Sequence, residues 1–142
     1  MARGTGSQWG DSGQQVTVTH TLDLMQSATI TGITHITKTD DYTLTKEDSG
    51  KVIIANDATD QPNFTLPAVA DGKGLCFTIF SLGAFGLKVT ALTAAIVSKN
   101  NAAATTVSYE TTSEKIGSAC MIAGNGSKWF HMDASNCAAT LA

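Results

Sequence analysis

Residues 41–80 read DYTLTKEDSGKVIIANDATDQPNFTLPAVADGKGLCFTIF, and this stretch decides the fold. Four short runs rich in β-branched, aromatic and aliphatic residues, 42–45, 52–55, 63–66 and 75–80, are separated by turn chemistry. Between the first two, Thr45 can cap a single helical turn with Asp48 three residues on, and Gly50 supplies a left-handed exit. Pro67 stops the third run and Gly74 opens the fourth. The stretch reads as four strands of scaffold, not as an active site.

Upstream, residues 15–24 alternate: Val16, Val18, His20, Leu22 and Leu24 on one side, Thr17, Thr19, Thr21 and Asp23 on the other, as in a strand with one buried face. Residues 1–13 are Gly-, Ser- and polar-rich and bury too little to fold unaided. Within them Trp9 is either an anchor for a partner's pocket or a solvated side chain. In residues 28–38, Ile30, Ile33 and Ile36 recur every third position, out of step with a strand's period of two. Either an extended segment wrapped by other subunits buries them on several sides, or two short strands kink at Gly32. Downstream, short runs at 87–90, 95–98, 105–109, 119–123 and 128–132 alternate with turns. Gly124-Asn125-Gly126-Ser127 is the strongest hairpin signal in the chain. Strands this closely spaced, with no helix beyond a turn or two, predict a sandwich or barrel.

Composition narrows the function. Charged residues make up 15% of the 142 positions, against about 25% in ordinary globular domains, and Thr and Ala replace them. Such a surface suits a protein partly covered by other subunits. A net charge of −3 with scattered Lys and Arg argues against a nucleic-acid partner. No apolar run approaches the ~20 residues of a spanning helix, and residues 1–13 lack a signal-peptide core, so no membrane partner and synthesis in the cytoplasm are expected. Cys76, Cys120 and Cys137 have no metal-ligand spacing; Cys76 and Cys120 fall in apolar strand patterns.

No motif carries chemistry. Gly10-Asp-Ser-Gly13 resembles the nucleophile tetrapeptide of chymotrypsin-like proteases, but no rigid scaffold or preceding histidine accompanies it. His20, His35 and His131 are widely separated. Asp57 with Asp60, and Asp133 with Asn136, lack the alternating oxygen series of a calcium loop. Neither a P-loop nor a dinucleotide fingerprint is present. The expectation is a non-enzyme with no cofactor and no metal.

The ordered series Tyr42-Thr-Leu-Thr, Asp48-Ser-Gly-Lys51, Thr65-Leu-Pro67, a Gly before an aromatic-rich strand, and Gly124-Asn-Gly-Ser-Lys-Trp129-Phe130 resembles a pattern in tailed-bacteriophage structural proteins. These are capsid decoration (cement) proteins and some tail-fibre domains. The likeness spans residues 41–132 and leaves the first forty outside it. It implies a virion protein on the outer capsid surface that stabilises the shell by bridging neighbouring subunits of the major capsid protein. A homotrimer is expected. The alternative it implies is a tail-fibre or receptor-binding module, for which Phe85 is the only aromatic in the 81–86 loop.

The expected fold is all-β: a small antiparallel β-sandwich or flattened barrel over residues 41–142, behind an extended N-terminal arm, residues 1–40. Apolar side chains of the arm, Trp9, Val16, Val18, Leu22, Leu24, Ile30, Ile33 and Ile36, are the candidate capsid or intersubunit contacts.

Overall fold

The alternation read from residues 41–80 becomes two stacked sheets. The computed structural model describes residues 33–110 and 115–142. Trp9, Val16, Val18, Leu22, Leu24 and Ile30, and the segment 15–24, lie outside the described residues. The strands are β1 (His35–Lys38), β2 (Tyr42–Thr43), β3 (Val52–Ala55), β4 (Asn63–Thr65), β5 (Cys76–Ser81) and β6 (Leu87–Thr90). They continue with β7 (Ile96–Ser98), β8 (Asn101–Ala104), β9 (Thr106–Tyr109), β10 (Ala119–Gly124), β11 (Trp129–Asp133) and β12 (Thr140–Leu141). One sheet has seven strands in the order β1-β3-β5-β10-β11-β7-β8; the other has five, β12-β9-β6-β4-β2. Among the described residues the sheets do not close, so the architecture is a sandwich and not a barrel.

The sheets are mixed where an antiparallel sandwich was expected. β1, β3 and β5 run parallel in one layer, and β2, β4 and β6 run parallel in the other. From β1 to β6 the chain changes layer at every step. Each connection from β1 to β6, the breaks after β2 and β4 included, carries the chain over to the opposite layer instead of reversing it within one. Each parallel pair therefore has a strand of the other layer as its crossover. The 81–86 loop is likewise a crossover, from β5 to β6, and not a hairpin.

The first of these breaks follows the sequence closely. Lys46–Asp48 is a single 3₁₀ turn. The Asp48 carboxylate accepts from the Thr45 amide (2.9 Å), the Thr45 hydroxyl (2.9 Å) and the Tyr42 hydroxyl (3.1 Å), and Lys51 Nζ lies 3.7 Å away. Burial by itself would raise its pKa. The hydrogen bonds from Thr45 and Tyr42 and the charge of Lys51 outweigh that and hold it below the usual carboxylate range. Gly50 leaves the turn at φ +82.

The hairpins differ in how they meet their geometry. β10 returns into β11 through residues 125–128, where Asn125 Oδ1 accepts from the amides of Ser127 and Lys128, both at 2.8 Å. β7 turns into β8 through Lys99 and Asn100, at φ +43 and +67, the left-handed pair a two-residue hairpin needs. Asn100 suits this; Lys99 is an unusual residue there.

Between the layers lies one core. Ile53, Phe77, Ile79, Ile96, Ile122 and Trp129 of the larger sheet meet Phe64, Leu87, Val89, Val107 and Tyr109 of the smaller, all fully buried. Burying each large apolar side chain contributes about 1.5–3 kcal/mol. β1 falls within residues 1–40 yet, among the described residues, is an edge strand of the seven-stranded sheet, paired with β3 from His35↔Val52 to Lys38↔Ala55. The described end of the isoleucine series follows period two there: Ile36 is half-buried against the core, and Ile33 is 74% exposed.

Candidate functional site

Two features stand out beyond ordinary packing: a polar chain through the core and an apolar face outside it. The polar chain links the layers. From β11, His131 presents Nδ1 to Ser98 Oγ of β7 at 2.6 Å and Nε2 to the Tyr109 hydroxyl of β9 at 2.9 Å. Tyr109 donates its proton to Asp133 in a short hydrogen bond, and Lys99 Nζ reaches Asp133 Oδ2 at 2.9 Å. One assignment satisfies every group. With its single proton on Asp133, the Tyr109 oxygen accepts from Nε2–H; in the neutral imidazole, which burial favours, Nδ1 then accepts from the Ser98 hydroxyl.

The charges agree with that assignment. Burial lowers the His131 pKa, Asp133 opposes this and Lys99 adds to it. Burial pushes the Tyr109 hydroxyl well above its ordinary value, helped by the nearby Cys120 and Asp133. Cys120, fully buried, is pushed up to about 12. For Asp133, burial acts upward, but the hydrogen bonds from Tyr109 and Lys99, the charge of Lys99 and, once protonated in acid, that of His131 bring it below the usual range.

Ser98, His131 and Asp133 are the residue types of a catalytic triad, but their arrangement is a brace. Ser98 is 5% exposed, and Tyr109 occupies the ring nitrogen on the Asp133 side. The Asp133 oxygen is 3.6 Å from Nε2, beyond hydrogen-bond reach. The brace gives a pH signature. His131 has a folded pKa below 6.5 and Asp48 and Asp133 below 3.8. Each stabilises the fold above its unfolded pKa and loses that contribution as pH falls through its folded pKa. Melting temperature should therefore fall in two stages on acidification, beginning below 6.5 and again below 3.8. Circular-dichroism melts of His131→Gln should lack the first stage; an unchanged profile would contradict the neutral assignment.

Other sequence candidates are occupied locally. Asp57 Oδ1 accepts from the Thr59 amide (2.8 Å), the Thr59 hydroxyl (2.9 Å) and the Asp60 amide (3.1 Å); these bonds, led by the Thr59 amide, lower its pKa. Phe85 is half-buried, with Lys115 Nζ 5.8 Å from its ring centroid. His35 is exposed on β1. All three cysteines are free. Among the described residues, no three His, Cys, Asp or Glu side chains form a metal-ligand group.

The second feature is the outward face of the seven-stranded sheet. Strand registers arrange it in three rows. One runs Thr37, Ile54, Phe80, Ala119; the next His35, Val52, Thr78, Met121, Met132; the third Cys76, Ala123, Phe130, Val97. No Asp, Glu, Lys or Arg interrupts them. Phe80, Phe130 and Met132 are 39%, 40% and 50% exposed. The outward side of the five-stranded sheet is the opposite in character: Thr43, Asn63, Thr65, Lys88, Thr90, Thr106, Ser108 and Thr140. One layer is finished for water and the other is not. The sequence showed apolar runs at 52–55, 75–80 and 119–123, but not which face of each ends up outside.

Comparison with known proteins returns no matching family model, no matching curated protein and no matching solved structure.

Proposed function

We propose that this chain is a non-enzymatic structural protein of a bacteriophage virion, which decorates the capsid and stabilises it by bridging neighbouring capsid subunits. The observation that carries the reading is the uncharged apolar face of the larger sheet, set against a polar network whose groups satisfy one another. The molecule presents surface for burial and keeps Ser98, Tyr109 and His131 internal. The resemblance of residues 41–132 to decoration proteins supplies the virion. The physical effect is cementing by added interface. Apolar area buried across subunit boundaries contributes roughly 25 cal/mol per Å², and repetition over a shell multiplies a small gain at each site. The major capsid protein and further copies of this chain are the proposed partners. Trp9, Val16, Val18, Leu22, Leu24, Ile30, Ile33 and Ile36 remain the proposed capsid or intersubunit contacts.

The test is to add purified full-length protein to heads lacking any decoration. Saturable binding in many copies per head, with a raised temperature of DNA release, is the expected result. Failure to bind heads, or binding in a few copies at the tail, would sink it; the latter outcome would favour the tail-fibre reading.

A further inference from the structure

We infer that the outward face of the seven-stranded sheet is where two copies of this chain meet, sheet against sheet. This deepens the self-association part of the proposed function, with copies paired about a two-fold axis where a homotrimer was expected, and is independent of the virion. Three observations carry it.

The first is the contrast between layers. Thr, Ser, Asn and Lys cover the five-stranded sheet, so the chain has the means to finish a solvent face. On the larger sheet it places Val52, Ile54, Phe80, Met121, Phe130 and Met132 outward instead.

The second is self-complementarity. The face has an approximate two-fold pattern about Met121: a half-turn in its plane exchanges Phe80 with Phe130, Ala119 with Ala123, and Ile54 with Val97. Ala134 continues the first row beside Ala119, its amide 2.9 Å from the Ala119 carbonyl oxygen. If two copies are apposed about a two-fold axis across the strands at Met121, Phe80 of one lies opposite Cys76 of the other, and Phe130 opposite Ala134. An axis along β10 exchanges those pairings, and each ring again meets a small residue. Rings fall on hollows in both arrangements, which is what an isologous contact requires. Among the described residues the three rows hold no Asp, Glu, Lys or Arg, so a second copy laid on them leaves no row charge unpaired.

The third is size. Seven strands at ~4.8 Å spacing and about five residues at ~3.3 Å give a footprint of roughly 500 Å². A pair would then bury about 1,000 Å², the threshold for a specific interface. Aligned sheets stacked about 10 Å apart have this geometry.

The experiment uses the full chain. Sedimentation and light scattering across a concentration series should show a mass of at least twice the chain, and Cys76, in the third row, should lose reactivity toward a maleimide as association proceeds. Phe130→Asp should abolish association, Phe130→Leu should restore it, and Thr43→Asp on the polar face should leave it unchanged, with circular dichroism reporting the fold of each. If Phe130→Asp fails to fold, the concentration dependence of Cys76 labelling in the unmodified chain decides alone. A single-chain mass at all concentrations overturns the inference and the oligomer together. If Cys76 is protected in that monomer, the face is covered within one chain; if it is protected only on heads, a capsid subunit covers it. Association with Cys76 fully reactive, or retained in folded Phe130→Asp, overturns this interface but leaves the oligomer standing. Failure to bind heads bears on the virion reading alone.

Discussion

Trp129→Ala is expected to destabilise the protein by about 3–5 kcal/mol, the upper range for loss of a large buried aromatic, lowering the melting temperature by roughly 10–20 °C. The indole is fully buried and packs on Phe77 at a centroid distance of 5.9 Å. Two glycines make its space. A Cβ on Gly72 would stand 2.6 Å from the ring, and one on Gly124 would stand 2.7 Å from it. Both lie on backbone that cannot follow a shrinking side chain inward, so a cavity remains. Among the described residues Nε1 has no hydrogen-bond partner, so the loss is one of packing. Trp129→Phe should accordingly cost well under half as much. Thermal melts of both variants check this; equal costs would mean that the indole nitrogen has a partner after all.

Gly86→Ala is expected to be comparably severe, through overpacking. Gly86 has φ +79, and a Cβ there would overlap the carbonyl oxygen of Tyr109. It precedes Leu87, which pairs with Tyr109 in the β6–β9 ladder. Relief of the overlap must move either that ladder or the residue that holds His131 and Asp133. The left-handed conformation costs about 1–2 kcal/mol for a residue with a side chain, and overpacking adds about 1–3 kcal/mol or more. Gly74 isolates the first contribution: it has φ +81, and a Cβ there would meet nothing within 4 Å. Gly74→Ala should cost only the conformational part, and the difference between the two melts measures the clash. Equal melting temperatures would show that the ladder yields freely at Tyr109.

Neither glycine effect was legible in the chain. Gly124 reads as turn chemistry before Asn125, and its pairing with Trp129 depends on register. Gly86 reads as a loop residue, because Tyr109 is distant in sequence. The polar brace was hidden in the same way. His131 reads as an isolated histidine, since Ser98 lies 33 residues away and Tyr109 22. The available signal was parity alone: His131 is two residues from the inward Trp129 and so shares its buried side.

The sequence by itself determined what depends on neighbours along the chain. Period-two alternation and frequent turns made the protein all-β. Thr45 and Asp48 set the first break, Gly50 its exit, and Asn125 the hairpin before Trp129. Each interaction spans a few residues, so local chemistry suffices. Tertiary structure alone decided which strands pair and in which direction, that the layers alternate from β1 to β6, and that His35–Lys38 joins the larger sheet beside Val52–Ala55. It also decided that Val52, Ile54, Phe80, Met121, Phe130 and Met132 lie together facing outward. Alternation says that a strand's two faces differ in contacts, but when both are apolar it cannot say which is the core. That choice is made by whichever face finds the second layer, through contacts that no local pattern encodes.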